Sequence, residues 1–173
     1  MIQLLTAAVV LIFPALVIVG ALRDATSYTI PNWISLGLIA AFPLAGLALG
    51  LPLGAMAMHA GVGAAALAAG MAMFAMRWIG GGDAKLLAAS ALWLGWPAAL
   101  TFLLVTALAG GALTLMLLSL RSAALRPLAL LGPRWFSRLA EPGENVPYGV
   151  AIAVGALAAF PASPLMAGIA GVL

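Results

Sequence analysis

This 173-residue chain has four carboxylates, and two of them, Asp24 and Asp83, sit against the ends of long apolar runs. A carboxylate in that position is costly to maintain and is a functional-site candidate by default. The rest of the inventory narrows the chemistry. There is no cysteine, which excludes disulfides, thiolate metal sites and a cysteine nucleophile. A single histidine is a poor basis for a zinc or iron site. The chemistry falls to carboxylates, hydroxyls or lysine. Two carboxyls can divide the work of peptide hydrolysis: the ionised one takes a proton from water while the protonated one polarises the carbonyl. Proximity splits their apparent pKa values and so permits this division. It needs neither a metal nor another cofactor.

Each aspartate has a distinctive setting. Asp83 closes the run Gly80-Gly81-Gly82-Asp83 and is followed by Ala-Lys-Leu-Leu. Three glycines in a row break a helix and clear side-chain bulk from beside the carboxylate, so another backbone can approach. A flexible loop with an Asp in the first turn of the next helix would read the same way. Lys85, two residues on, points away from Asp83 on a helix and is expected to snorkel to the membrane interface. Asp24 follows Arg23, and a polar link, Ala25 to Trp33, leads on from it. Pro31 suits a helix start and Trp33 an interface. Alone, Asp24 would read as half of an Arg23–Asp24 surface pair.

The elements that must bring these groups together follow from the charge map. The chain is 66% hydrophobic and only 6% charged, which is incompatible with a water-facing surface. All charged residues fall in three windows: Arg23-Asp24, Arg77–Lys85 and Arg121–Glu144. The net charge of +3 therefore reads as a set of topology determinants and not as a nucleic-acid surface. The first positive charge, Arg23, follows the N-terminal apolar run, so that run is expected to be a retained helix and not a signal peptide.

A spanning helix needs about 20 apolar residues. Met1–Leu22 and Asn145–Leu173 each fit one span, and Ala25–Met76 fits two with a turn at Gly50–Gly54. Leu86–Leu120 breaks at Gly95-Trp96-Pro97 into a short helix and a full one. Counting it as two places all three charged windows on the cytoplasmic face, as the positive-inside tendency requires. The expected fold is an all-α membrane protein forming one domain over residues 1–173. It has six transmembrane helices, both termini extracytoplasmic and three cytoplasmic loops. The short fourth helix is expected to start near Gly82, and Asp24 and Asp83 then share one side of the membrane at similar depth. Gly61, Gly63, Gly70, Gly110 and Gly111 are expected to serve helix packing.

Three motifs in this order carry a resemblance to a known family. Gly80-Gly81-Gly82-Asp83 fits a G-x-G-D signature, Arg23-Asp24 is followed by Ile30-Pro31-Asn32, and Val146-Pro147-Tyr148-Gly149 opens the last apolar segment. Together they resemble the type IV prepilin peptidases over essentially the whole chain. The resemblance implies a membrane-embedded aspartic endopeptidase that removes the short basic leader from prepilin or pseudopilin substrates at the cytoplasmic face. Asp24 and Asp83 carry over as the catalytic pair. Gly80 and Gly82 carry over as the signature glycines, with Lys85, Pro31, Asn32, Pro147, Tyr148 and Gly149 as supporting positions. The long cytoplasmic insertion with paired cysteines found in larger members is missing, so their N-methyltransferase activity is not expected. The short form resembles the peptidases of tight-adherence (Flp-type) pilus systems of the bacterial inner membrane.

The remaining residues read as structural. His59 lies near the outer end of the third helix, remote from the charged face. Arg121–Arg138 with Leu125, Leu131 and Trp135 is expected to lie along the leaflet against anionic lipid. Glu141 and Glu144 could attract the positive residues of a leader, but read more simply as a solvated acidic turn. Two other functions compete with the peptidase reading. One is a small transporter using Asp24 and Asp83 as proton or cation sites. The other is a structural subunit of a secretion machine.

Overall fold

A computed structural model describes residues 2–170; the two chain ends, and with them the expected sidedness of the termini, lie outside that range. The described residues are helical and include no strand. In chain order the long elements are α1 (Ile2–Ser27), α2 (Asn32–Ala48), α3 (Leu53–Ala75), α4 (Gly81–Leu94) and α5 (Ala98–Leu120). Two short helices follow, α6 (Arg126–Ala129) and α7 (Arg134–Leu139). The chain closes with α8 (Tyr148–Ala159), a 3-10 turn at Phe160–Ala162 and α9 (Pro164–Ala170).

Four segments are long and apolar enough to cross a membrane: Ala8–Ser27, Leu53–Ala75, Ala98–Leu120 and Tyr148–Gly168. The 17 residues of α2 and the 14 of α4 fall short of that length. The expected breaks sit where Gly and Pro cluster. The α2–α3 turn spans Leu49–Pro52, the α4–α5 turn Gly95–Pro97, and α4 begins at Gly81. The last apolar segment divides at Phe160–Ala162, where Pro161 and Pro164 interrupt it, a break not among those expected.

The short α4 is the axis of the bundle. It packs against α1, α2, α3, α5 and α8, and its apolar residues are buried almost all round, as expected of a helix with no polar face. Trp93 is fully buried, stacks on Phe13 of α1 at 5.3 Å and meets Phe42 of α2 edge-on at 6.1 Å. Its indole N–H donates to the Leu38 carbonyl at 2.8 Å, satisfying the one polar atom of the ring. Close approach of α3 depends on small residues. A methyl group at Gly63 would sit 2.9 Å from Leu92 Cβ, and one at Gly70 would sit 3.1 Å from Ala84 Cβ. Gly110 packs likewise against Tyr148, whereas Gly61 and Gly111 face open space. His59 is buried at the end of α3 remote from the aspartates, with Nδ1 2.8 Å from the Leu92 carbonyl and its ring against Phe42. This scaffold leaves the N-terminus of α4, the C-terminus of α1 and the N-terminus of α8 together at one end.

Candidate active site

Asp24 lies in the last turn of α1 and Asp83 in the first turn of α4, and only 5% and 8% of their surfaces are exposed. Both line one cleft of about 540 Å³, bounded also by the α3–α4 loop and by the segment leading into α8. A smaller cavity of about 200 Å³ reaches both carboxyls from the side of Thr29 and Ile30. Asp24 is therefore not half of an Arg23–Asp24 surface pair. Its Oδ2 accepts the Gly149 backbone N–H at 2.7 Å, from the positive end of α8. Asp83 Oδ2 accepts the Gly80 N–H at 2.9 Å, so the residue three positions back holds its carboxyl over the helix start.

Bulk is excluded around this pair at two points. A Cβ on Gly82 would stand 3.0 Å from Ile30 Cβ and 3.3 Å from the Ile30 carbonyl. A Cβ on Gly149 would stand 2.8 Å from Ile30 Cδ1 and 2.9 Å from Asp24 Oδ2. Ile30 is thus a wedge between the segments that carry the two aspartates. Pro31 precedes the first residue of α2 and Pro147 the first residue of α8, and Tyr148 lines the cleft. Lys85 points away from Asp83, but it does not simply reach for the interface. Its Nζ donates to Asn32 Oδ1 at 2.8 Å, joining the starts of α4 and α2 at the polar end of an apolar groove. The supporting residues therefore fall into three groups. Gly80, Gly82, Tyr148 and Gly149 border the aspartates or their cavities, Pro31 and Pro147 only open the adjoining helices, and the Lys85–Asn32 pair lines a separate groove.

Several residues of the site carry no motif. Tyr28 lines both cavities with its backbone in the left-handed region, at φ 53°. Its hydroxyl is buried without a hydrogen-bond partner. Burial, reinforced by the Glu144 carboxylate, pushes the Tyr28 phenol up, so it stays a protonated donor. Arg77 and Trp78 contribute from the α3–α4 loop, and Arg77 is also left-handed, at φ 61°.

The third charged window, expected only to set topology and touch lipid, also reaches the cleft. Glu144 and Asn145 line the cleft, and Arg121 braces that wall by donating to the Leu139 and Asn145 carbonyls at 2.9 and 3.1 Å. Glu144 is ion-paired with Arg138 and is not a free solvated acid. Arg126, Arg134, Leu131 and Trp135 are exposed. Among the described residues, no three His, Asp or Glu side chains are grouped to hold a metal ion.

The described residues form a helical bundle with several membrane-length segments and two buried carboxyls on one cleft at the end of its helices. A model of the type IV leader peptidase family matches residues 11–115, more than half the chain, and the protein belongs to that family. The matched stretch contains both aspartates, the Ile30-Pro31-Asn32 turn and Gly80–Gly82, and it ends before Val146–Gly149. No curated protein and no solved structure matches the chain.

Proposed function

We propose that this protein is a prepilin leader peptidase, acting as a single domain over residues 1–173 with Asp24 and Asp83 as its catalytic pair. The observation that carries the reading is that two buried carboxyls from separate helices, one held by the Gly149 N–H and the other by the Gly80 N–H, line one cleft. A cleft of about 540 Å³ is in the range that holds a few residues of an extended peptide. In the proposed reaction one aspartate, ionised, takes a proton from a water molecule, whose oxygen bonds to the scissile carbonyl carbon. The other, protonated, gives its proton to the carbonyl oxygen. The tetrahedral intermediate then collapses, the C–N bond breaks, and the proton taken from water passes to the leaving amine. As the acid product forms, one hydroxyl of the intermediate returns a proton to the second aspartate, so both carboxyls regain their starting protonation, and neither forms a covalent bond to substrate.

The substrate favoured by the short form is a Flp-like prepilin or pseudopilin with a basic leader. The charged loops support a six-span topology with the cleft at the cytoplasmic face of the bacterial inner membrane. Family membership and the peripheral position of both aspartates weigh against the transporter alternative, which would favour ion sites near the midplane. The test is co-expression of a candidate prepilin with the wild type, Asp24→Asn or Asp83→Asn, following leader loss by gel mobility. Either substitution is expected to abolish processing while the protein stays inserted. Full processing by either variant refutes the catalytic pair.

A further inference from the structure

Three of the chain's four carboxylates, Asp24, Asp83 and Glu144, line the same cleft. Two of them are held by backbone N–H groups, those of Gly149 and Gly80. Glu144 is engaged differently. Its Oε1 meets Arg138 Nε at 3.0 Å, in a single contact and not the two-pronged pairing of which arginine is capable. The Arg138 guanidinium also lies over the Tyr28 ring, 4.9 Å from its centre. A carboxylate and an aromatic face thus converge on one cation, the two recognition elements a positively charged side chain takes best. Both belong to residues that line the cleft with the aspartates, and the cation comes from the chain itself. Arg138 is half exposed, and ion pairs of that kind are weak, so another cation can take its place at little cost.

We propose that Glu144, with the Tyr28 ring, is the specificity site for a lysine or arginine of the substrate, and that Arg138 holds this position until substrate arrives. The inference rests on the peptidase reading and deepens it by assigning the recognition of the leader's charge to named residues. Other charged groups are near. Arg77 lines the cleft from the α3–α4 loop, Arg121 is committed to the Leu139 and Asn145 carbonyls, and Glu141 adds to the field at Arg138. A substrate cation at Glu144 would sit beside the aspartates, so it would belong to a residue close to the scissile bond.

The test uses the full-length protein in membranes and one prepilin in three forms, with the basic leader residue nearest the cleavage site kept or changed to Gln or Glu. Wild type is expected to cleave the basic form best. In Glu144→Gln the preference for the basic over the Gln form should shrink by roughly fivefold, the scale of an exposed charge pair, and the change should lie in KM. Glu144→Lys should prefer the acidic form. Arg138→Gln should lower KM for the basic form, because it removes the competitor. Equal losses on all three substrates in Glu144→Gln, or a matching loss in Arg138→Gln, would mean that the pair is only a brace and would overturn the proposal. Cleavage of none of the forms by wild type would overturn the peptidase reading with it, whereas charge-blind cleavage overturns this inference alone.

Discussion

At the end of the bundle remote from the aspartates, the left-handed turn positions are occupied by Gly50 and Gly95; at the aspartate end, Tyr28 and Arg77 occupy two such positions. The contrast is sharpest between two turns of the same kind. After α2, the Gly50 N–H bonds to the Leu47 carbonyl and the Leu51 N–H to the Gly46 carbonyl, at 3.1 and 2.9 Å. After α3, the Arg77 N–H bonds to Phe74 and the Trp78 N–H to Met73, both at 2.9 Å. Both are Schellman closures, which favour glycine at the left-handed residue. The first uses glycine and the second does not. A side chain there costs about 1–2 kcal/mol of backbone strain. Both ordinary residues held this way line the cleft, and strain concentrated at one site is the pattern of functional positions.

The glycines divide in the same sense, and the largest expected effects lie there. Gly149→Ala places a methyl group against Asp24 and the Ile30 wedge, so prepilin cleavage should fall by about 100-fold, the usual cost of small misplacements at a reacting centre. Gly95→Ala forces an L-residue into left-handed backbone against the His59 ring. It should lower the unfolding midpoint in detergent while the folded fraction keeps its turnover. Equal turnover losses in both variants would erase the distinction between the ends.

A middle-sized effect tests the two turns directly. Arg77→Gly should stabilise the fold by about 0.5–1 kcal/mol, the relieved strain less the extra entropy of glycine, yet reduce cleavage because the cleft loses a wall. Gly50→Ala should destabilise by about 1 kcal/mol and leave turnover per folded molecule alone. The measurements are denaturant midpoints and initial cleavage rates on the same preparations. If Arg77→Gly gains stability without losing activity, Arg77 is a tolerated strain and not part of the site.

What could be read from the amino acids alone follows from which interactions are local. The Gly-Pro breaks at Gly50–Pro52 and Gly95–Pro97, the start of α4 beside Asp83, and the concentration of charge in three windows depend on neighbours in sequence, and all were legible. The two aspartates and Gly80–Gly82 were legible because their types are improbable beside apolar spans. Tyr28 and Arg77 were not, since neither residue type announces left-handed backbone. Glu144 was legible as an acid that could attract a basic leader, but not as a wall of the aspartate cleft. Its place on the cleft depends on α7 and the start of α8 folding back over Tyr28, a contact across more than a hundred residues of chain. The Lys85–Asn32 bond was hidden for the same reason, because each partner alone suits the interface.

That bond gives the smallest effect. Lys85→Ala removes one hydrogen bond to Asn32, at an exposed position, and should cost about 1 kcal/mol or less of stability. Asn32 begins α2 two residues after Ile30, so loosening it lets the wedge between Gly82 and Gly149 drift. Cleavage should fall by a few fold without vanishing, and Lys85→Gln, which can still donate to Asn32, should recover most of it. This separates a joint behind the site from a group within it. Complete inactivity in both variants, in protein that remains folded and inserted, would place Lys85 in the chemistry. Unchanged activity would mean that Ile30 is held by the two glycine contacts alone, and that the aspartate end is stiffer than its strained backbone suggests.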